Sequence, residues 1–147
     1  HGDGTESFFY DDPSVLVFST HDVNAYPRTG FSSRTGSGAG EGFNINAPLA
    51  CGATDDDIVA AFERQLAPAA TRFRPDLVLI SAGFDSRAGD RLGCFAIGDS
   101  GFARLTRIVM RIADAHCAGR IVSVLEGGYQ GEGLANAVLA HVGALAS

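Results

Sequence analysis

Two short apolar runs each lead to one side chain capable of chemistry. Leu79-Ile80-Ser81-Ala82 passes through Gly83-Phe84 to Asp85, and Val124-Leu125-Glu126 passes through Gly127-Gly128 to Tyr129. A carboxylate can ligate a metal or take a proton, and a phenol can donate a hydrogen bond to a developing oxyanion. Ligands of α/β proteins bind at the carboxyl ends of parallel strands, so the two groups are expected to face one cleft. Each also has a plainer reading. A lone Asp after Gly-Phe forms turns and caps loops, and a Tyr beside two glycines packs under a sheet edge. The glycines allow close approach and unusual backbone angles, which suits the presentation of a phenol. His21 follows Ser19-Thr20 at the end of an earlier apolar run and adds a polar group to the same edge. His116 and His141 fall inside expected helices without a partner at ligand spacing, and read as ordinary surface or core histidines.

The elements that must position these groups alternate strand and helix. Strands are expected at 14–19, 76–82 and 120–125, with a short extended segment at 43–48. A helix capped by Thr54 or Asp55 should run to about Phe73, with Asp55, Asp56 and Asp57 in its first turn and Pro68 kinking or shortening it. A second helix, from Asp99 or Ser100 to Cys117, buries Phe102, Leu105, Ile108, Val109 and Ile112 and wets Arg104, Arg107 and Arg111. A third spans 131–146. This order predicts an α/β fold, three layers α/β/α around a parallel sheet whose strands are buried on both faces. Residues 1–147 read as a single partial domain without repeats. The stretches 21–41 and 83–98 are long loops, which in compact domains are usually functional. The glycines of 36–42 lack the Gly-Lys-Ser/Thr of a phosphate loop and follow no strand directly, so they read as flexible surface.

Composition narrows the classes. A chain of 147 residues with 46% hydrophobic residues can bury a core. The net charge of −6 argues against direct nucleic-acid binding but suits a cationic peptide or polyamine. No apolar run is long enough for a membrane helix, and His1-Gly2-Asp3-Gly4 opens no signal peptide. Cys51, Cys94 and Cys117 are odd in number and lack CxxC spacing, so they are expected to be small buried hydrophobes in a reducing cytoplasm. The chain starts without methionine, inside what reads as a loop, as a piece of a longer domain would.

Taken together, several segments resemble the zinc-dependent histone deacetylase family, including its bacterial deacetylase and acetylpolyamine amidohydrolase members. They are His1-Gly2-Asp3-Gly4-Thr5, the run from Phe9 to Val15, Phe18-Ser19-Thr20-His21, Tyr26-Pro27, the run from Gly40 to Leu49, the run from Arg74 to Asp85, and Leu125-Glu126-Gly127-Gly128-Tyr129. They occur in family order along nearly the whole chain, and the Gly-Phe-Asp and Leu-Glu-Gly-Gly-Tyr forms look closer to the class II-like branch.

The resemblance implies an arginase/deacetylase-like fold with zinc at the strand ends. It makes Asp85 a zinc ligand and Tyr129 the donor to the amide carbonyl. Asp3 matches the residue that orients a catalytic histidine, and His1 matches the second histidine of an Asp-x-His-His-Gly run, which is not a ligand. Tyr26 falls near the aromatic wall of the acyl-lysine channel, with His21, Gly127 and Gly128 also at the substrate edge. One monovalent-cation site, for K+ or Na+, maps onto Ser19 and Thr20. A second maps onto Phe9, Asp12, Val15 and Phe43, mostly through backbone carbonyls. Arg28 stands where the family usually carries glycine. The other two zinc ligands and the catalytic histidine pair match positions upstream of His1, and a catalytic zinc needs three protein ligands. The expectation is therefore a deacetylase of acetyl-lysine or acetylpolyamine, of which these residues alone are inactive. The alternative is a non-catalytic folded scaffold with an exposed strand edge, which forms a homodimer or pairs with a complementing N-terminal chain. A nucleotide-binding flavodoxin-like domain is disfavoured by the missing phosphate loop.

Overall fold

Parallel strand pairs form the frame of the computed structural model, which describes residues 1–147. β1 (Val17–His21) lies beside β2 (Asn44–Pro48), with Val17 opposite Asn44 and His21 opposite Pro48. β3 (Val78–Ala82) lies beside β4 (Ile121–Leu125), with Val78 opposite Ile121 and Ala82 opposite Leu125. The first strand starts later than its apolar run suggests. Asp12 Oδ1 accepts from the Ser14 amide at 2.8 Å, and that turn takes up the chain before Val17.

The helices follow from their caps. α1 (Asp3–Phe8) replaces the loop expected at the start of the chain. Its acidic Asp3 and Glu6 suit a first turn, but six residues are too few to show a period. α2 (Asp55–Ala61) opens with the Asp57 carboxylate accepting from the Thr54 amide at 2.8 Å and its hydroxyl at 2.7 Å. A single wide π-turn, Phe62–Leu66, then passes the chain to α3 (Ala67–Phe73). Pro68 thus sits near the start of a new helical segment, where its missing N–H matters least. α4 (Asp99–Cys117) is capped from outside itself: Asp55 accepts from the Gly98 amide at 2.7 Å and from the Ser100 hydroxyl at 3.1 Å. Its expected apolar stripe is buried. Arg104 pairs with Asp56 of α2 at 2.8 Å and Arg111 with Glu63 of the π-turn at 2.7 Å, exposed pairs worth little. α5 (Gly131–Leu145) starts at Gln130, whose side chain accepts from the Gly133 amide, and packs against α4.

The pair β1–β2 is covered on both faces. Phe18 meets Phe62 of the π-turn edge-on at 5.1 Å, while Glu6 of α1 reaches Asn44 and Asn46 from the other side at 3.0 and 2.6 Å. The pair β3–β4 is not covered on both faces, which corrects the expectation of strands buried all round. Val78, Ile80, Ile121 and Ser123 turn toward α4 and α5, whereas Leu79 is 71% exposed and Val122 and Val124 about half exposed. The second long loop and the cysteines add one finding and one further correction. The stretch 83–98 contributes Phe95 and the fully buried Ile97 to the core, held by single parallel bridges from Arg87 to Ile97 and from Thr54 to Ala96. Cys117 is buried as expected, but Cys51 and Cys94 are exposed.

Replacing the fully buried Ile97 with alanine leaves a cavity in the core. The expected loss is about 2–5 kcal/mol of stability, read as a lower urea midpoint with an unchanged slope.

Candidate active site

The pairing of β3 and β4 does not stop where the strands end. The Glu126 amide donates to the Ala82 carbonyl at 3.0 Å, and the Phe84 amide to the Gly127 carbonyl at 2.8 Å. The two connections therefore leave the sheet side by side, one carrying Asp85 and the other Tyr129. The Asp85 carboxylate is half-buried and takes part in no hydrogen bond or ion pair within the chain. A Cβ at position 127 would stand 2.7 Å from Asp85 Oδ2, so glycine is what lets the second connection pass so close. Gly128 has φ +137°, a value that L side chains rarely adopt, and delivers Tyr129 with its side chain about half exposed.

Asp90 joins these two connections and was not singled out by the sequence. Its Oδ1 accepts from the Leu92 and Gly93 amides at 2.8 and 3.0 Å, and its Oδ2 accepts from the Tyr129 amide at 2.7 Å. Burial works to raise its pKa, but the backbone donors outweigh it and hold the carboxyl below the usual range. An Asx-type turn was readable from Asp90-Arg91-Leu92-Gly93; the long-range bond to Tyr129 was not.

The β1 edge is organised by His21. This histidine is buried, its Nε2 donates to the Gly30 carbonyl at 2.8 Å, and its Nδ1 therefore accepts from the Ser19 hydroxyl at 2.9 Å. Ser19 Oγ accepts in turn from the Gly2 amide at 3.3 Å. The His1 ring stacks on His21 with centroids 4.1 Å apart, and His1 Nδ1 lies 3.6 Å from Asp3 Oδ1. His21, expected at the substrate edge, thus has both ring nitrogens engaged within the chain. Thr20 is half-buried beside it. Tyr26 is 92% exposed. Arg28 has φ +64°, the left-handed conformation that explains why glycine suits this position. The β1 edge and the Asp85 loop meet where the Cys94 thiol donates to Asp22 Oδ2 at 3.4 Å. Hydrogen bonding with Cys51, then burial and the Asp22 carboxylate, push the Cys94 thiol up to about 12, which favours the protonated form at neutral pH.

The residues of the second expected cation site come from two segments. The Phe9 carbonyl accepts from the Asp12 amide at 3.2 Å, and the Phe43 carbonyl accepts from the Val17 amide at 2.9 Å, just beyond Val15. A concavity of about 310 Å3 lies between α1 and the segment 29–34, lined by Asp3, Glu6, Thr29 and Arg34 among others, and includes neither Asp85 nor Tyr129.

The histone deacetylase domain model matches residues 1–145. The chain belongs to the histone deacetylase family. A probable deacetylase of Archaeoglobus fulgidus is 41% identical over 133 residues, covering 90% of this chain and 37% of that protein. Histone deacetylase clr3 of Schizosaccharomyces pombe is 40% identical over 146 residues, covering 95% of this chain and 21% of that protein. The crystal structure of the HDA15 HD domain superposes with a TM-score of 0.92 at 38% identity, over 99% of this chain and 41% of that one. The structure of the histone deacetylase Clr3 gives the same TM-score at 39% identity, over 99% and 25%. The chain thus spans well under half the length of these relatives, and the α/β deacetylase fold is shared with them.

An unpartnered carboxylate flanked by glycine suits one metal ligand. No group of three or more His, Cys, Asp or Glu side chains in this chain is placed to hold a metal ion.

The buried histidines set an acid limit on stability. Burial pushes the pKa of His21 down, outweighing the Gly30 carbonyl that raises it, and burial likewise lowers His141. His141 is held neutral between Thr106 at 2.7 Å and Ser123 at 2.9 Å. Because the unfolded histidines protonate near about 6.5, the unfolded state takes up protons first as pH falls. The thermal midpoint should be flat above about pH 7 and fall from about 6.5 downward. In His141→Gln the slope should be shallower, whatever the absolute midpoint.

Proposed function

We propose that the protein carrying this chain is a zinc-dependent deacetylase that hydrolyses the acetamide of acetyl-lysine or of an acetylpolyamine. The observation that carries this reading is the pairing of an unpartnered Asp85 carboxylate with the Tyr129 phenol on adjacent strand ends. Asp85 would hold zinc together with ligands from outside these residues, and bound zinc would supply Lewis-acid polarisation of the amide. The Tyr129 phenol donates to the amide oxygen as its carbon becomes tetrahedral and charge gathers there. Asp3 orients a histidine by accepting from its ring. Tyr26 forms part of the wall for the acyl-lysine stem, with the backbone of Gly127 and Gly128 beside it. The chain's net charge of −6 suits a cationic substrate. Ser19 and Thr20, and Phe9, Asp12, Val15 and Phe43, would hold K+ or Na+ through oxygens and so stiffen β1 and the turns before it.

The bare face of β3–β4 favours a second role for the chain when it stands alone. Leu79, Val122 and Val124 form an apolar strip on paired strands, which promotes association with a second copy or a complementing chain.

Three outcomes test these readings. The full-length protein should deacetylate an acetyl-lysine peptide in a chelator-sensitive way, and Tyr129→Phe should lower kcat by about a hundredfold to a thousandfold. Asp85→Asn should lose zinc by metal analysis; retention of stoichiometric zinc and activity would remove Asp85 from the site. The 147-residue chain expressed alone should be inactive and self-associated by light scattering, and Leu79→Lys should shift it toward monomer.

A further inference from the structure

Among the acidic groups outside the expected site, Asp90 alone touches the backbone of Tyr129. One carboxylate oxygen closes its own loop through the Leu92 and Gly93 amides, and the other takes the Tyr129 amide. The same loop carries Asp85, and Gly93 presses on the Asp85 carbonyl so closely that no Cβ fits there. Asp90 therefore spans the gap between the segment that presents the carboxylate and the segment that presents the phenol.

We infer that Asp90 is a positioning residue, whose carboxylate fixes the Tyr129 phenol relative to Asp85 by bonding the Tyr129 amide while anchored in the Asp85 loop. The inference rests on the deacetylase reading above. Its physical basis is the softness of the turn that it braces. Gly127 and Gly128 carry no side chain to pack, and Gly128 sits at a φ that only glycine adopts readily, so the backbone there has little intrinsic stiffness. The strand pairing ends at the Phe84–Gly127 bond, two residues before Tyr129. Without another tether, the phenol would sample positions away from the oxyanion, and a misplacement of about an ångström can cost on the order of a hundredfold in rate. A charge-assisted N–H bond at 2.7 Å supplies that tether. The lowered Asp90 pKa accords with a carboxylate held charged by these donors.

The test uses the full-length enzyme and an acetyl-lysine peptide. Asp90→Asn keeps one carbonyl oxygen for the Leu92 and Gly93 amides but loses the second acceptor. Asp90→Ser keeps a single short acceptor for the same turn and cannot bridge both sides. Both variants should lower kcat by roughly tenfold, the effect of a lost charged hydrogen bond, with KM, zinc content and thermal midpoint near wild type. Hydrogen exchange of the Tyr129 amide should accelerate. In a Tyr129→Phe background, Asp90→Asn should lower the residual kcat no further, because the carboxylate acts through the phenol.

The inference is overturned if either soluble variant keeps wild-type kcat, or if Asp90→Asn lowers kcat by the same factor with and without the phenol. Raised KM, lost zinc or failure of both variants to fold also overturns it, because the carboxylate then supports the fold and not the phenol. Wild-type activity in Tyr129→Phe alone is a different result: it removes the tyrosine's assigned role, whatever Asp90 does.

Discussion

The site depends on a parallel pairing that outlasts its strands. Ala82 and Leu125 close the regular register, yet two more backbone bonds follow, from Glu126 to Ala82 and from Phe84 to Gly127. Parallel strands bring like ends together, so both connections emerge on one edge. Small residues then allow contact that ordinary side chains would prevent, with the Asp85 carboxylate against Gly127. Phe84 anchors the base of this arrangement: buried, it packs on Phe102 of α4 at 5.1 Å and on His141 of α5 at 5.8 Å. A core residue next to Asp85 thus transmits the rigidity of two helices to the site.

Much of this was legible from the sequence, and the exceptions share a cause. α4 is legible to within about a residue at its start because its apolar period is long, with charged residues on the opposite face. Asp85 and Tyr129 stood out because each ends an apolar run with glycine between. What stayed hidden depends on contacts between distant segments. Of the two caps that the sequence offers for α2, Thr54 takes the position with Asp57 as its partner, whereas Asp55 caps α4. Glu6 attracted no notice, yet it is buried against Arg34, Asn44 and Asn46, whose bonds offset the burial that would otherwise raise its pKa. Ile97 and Phe95 lie in a stretch without period, and single bridges carry them into the core. Local pattern cannot report partners more than thirty residues away.

The β1 edge shows how fully a polar group at a strand end can be engaged within its own chain. His21 does stand at the strand end, where polar groups gather. Its two nitrogens are nonetheless satisfied by Gly30 and Ser19, and His1 covers its ring. An imidazole so engaged is held in its neutral form, as burial also favours. Its contribution to the site is the path of the loop that follows, which runs through Asp22 to the Cys94 contact and so ties the two edges together.

The acidic excess of the chain acquires a structural meaning from these contacts. Asp12, Asp22, Asp55, Asp57 and Asp90 each accept from backbone amides, and each amide belongs to a turn or a helix start. Carboxylates used in this way replace regular ladder bonds where the chain must turn, as the long connections at strand ends require. Asp85 is the exception among them, because it occupies the same edge and accepts from nothing. This half-buried carboxylate is left without a donor in a chain that supplies donors to those five. That contrast separates Asp85 from the other aspartates by its surroundings, where the sequence could separate it only by position.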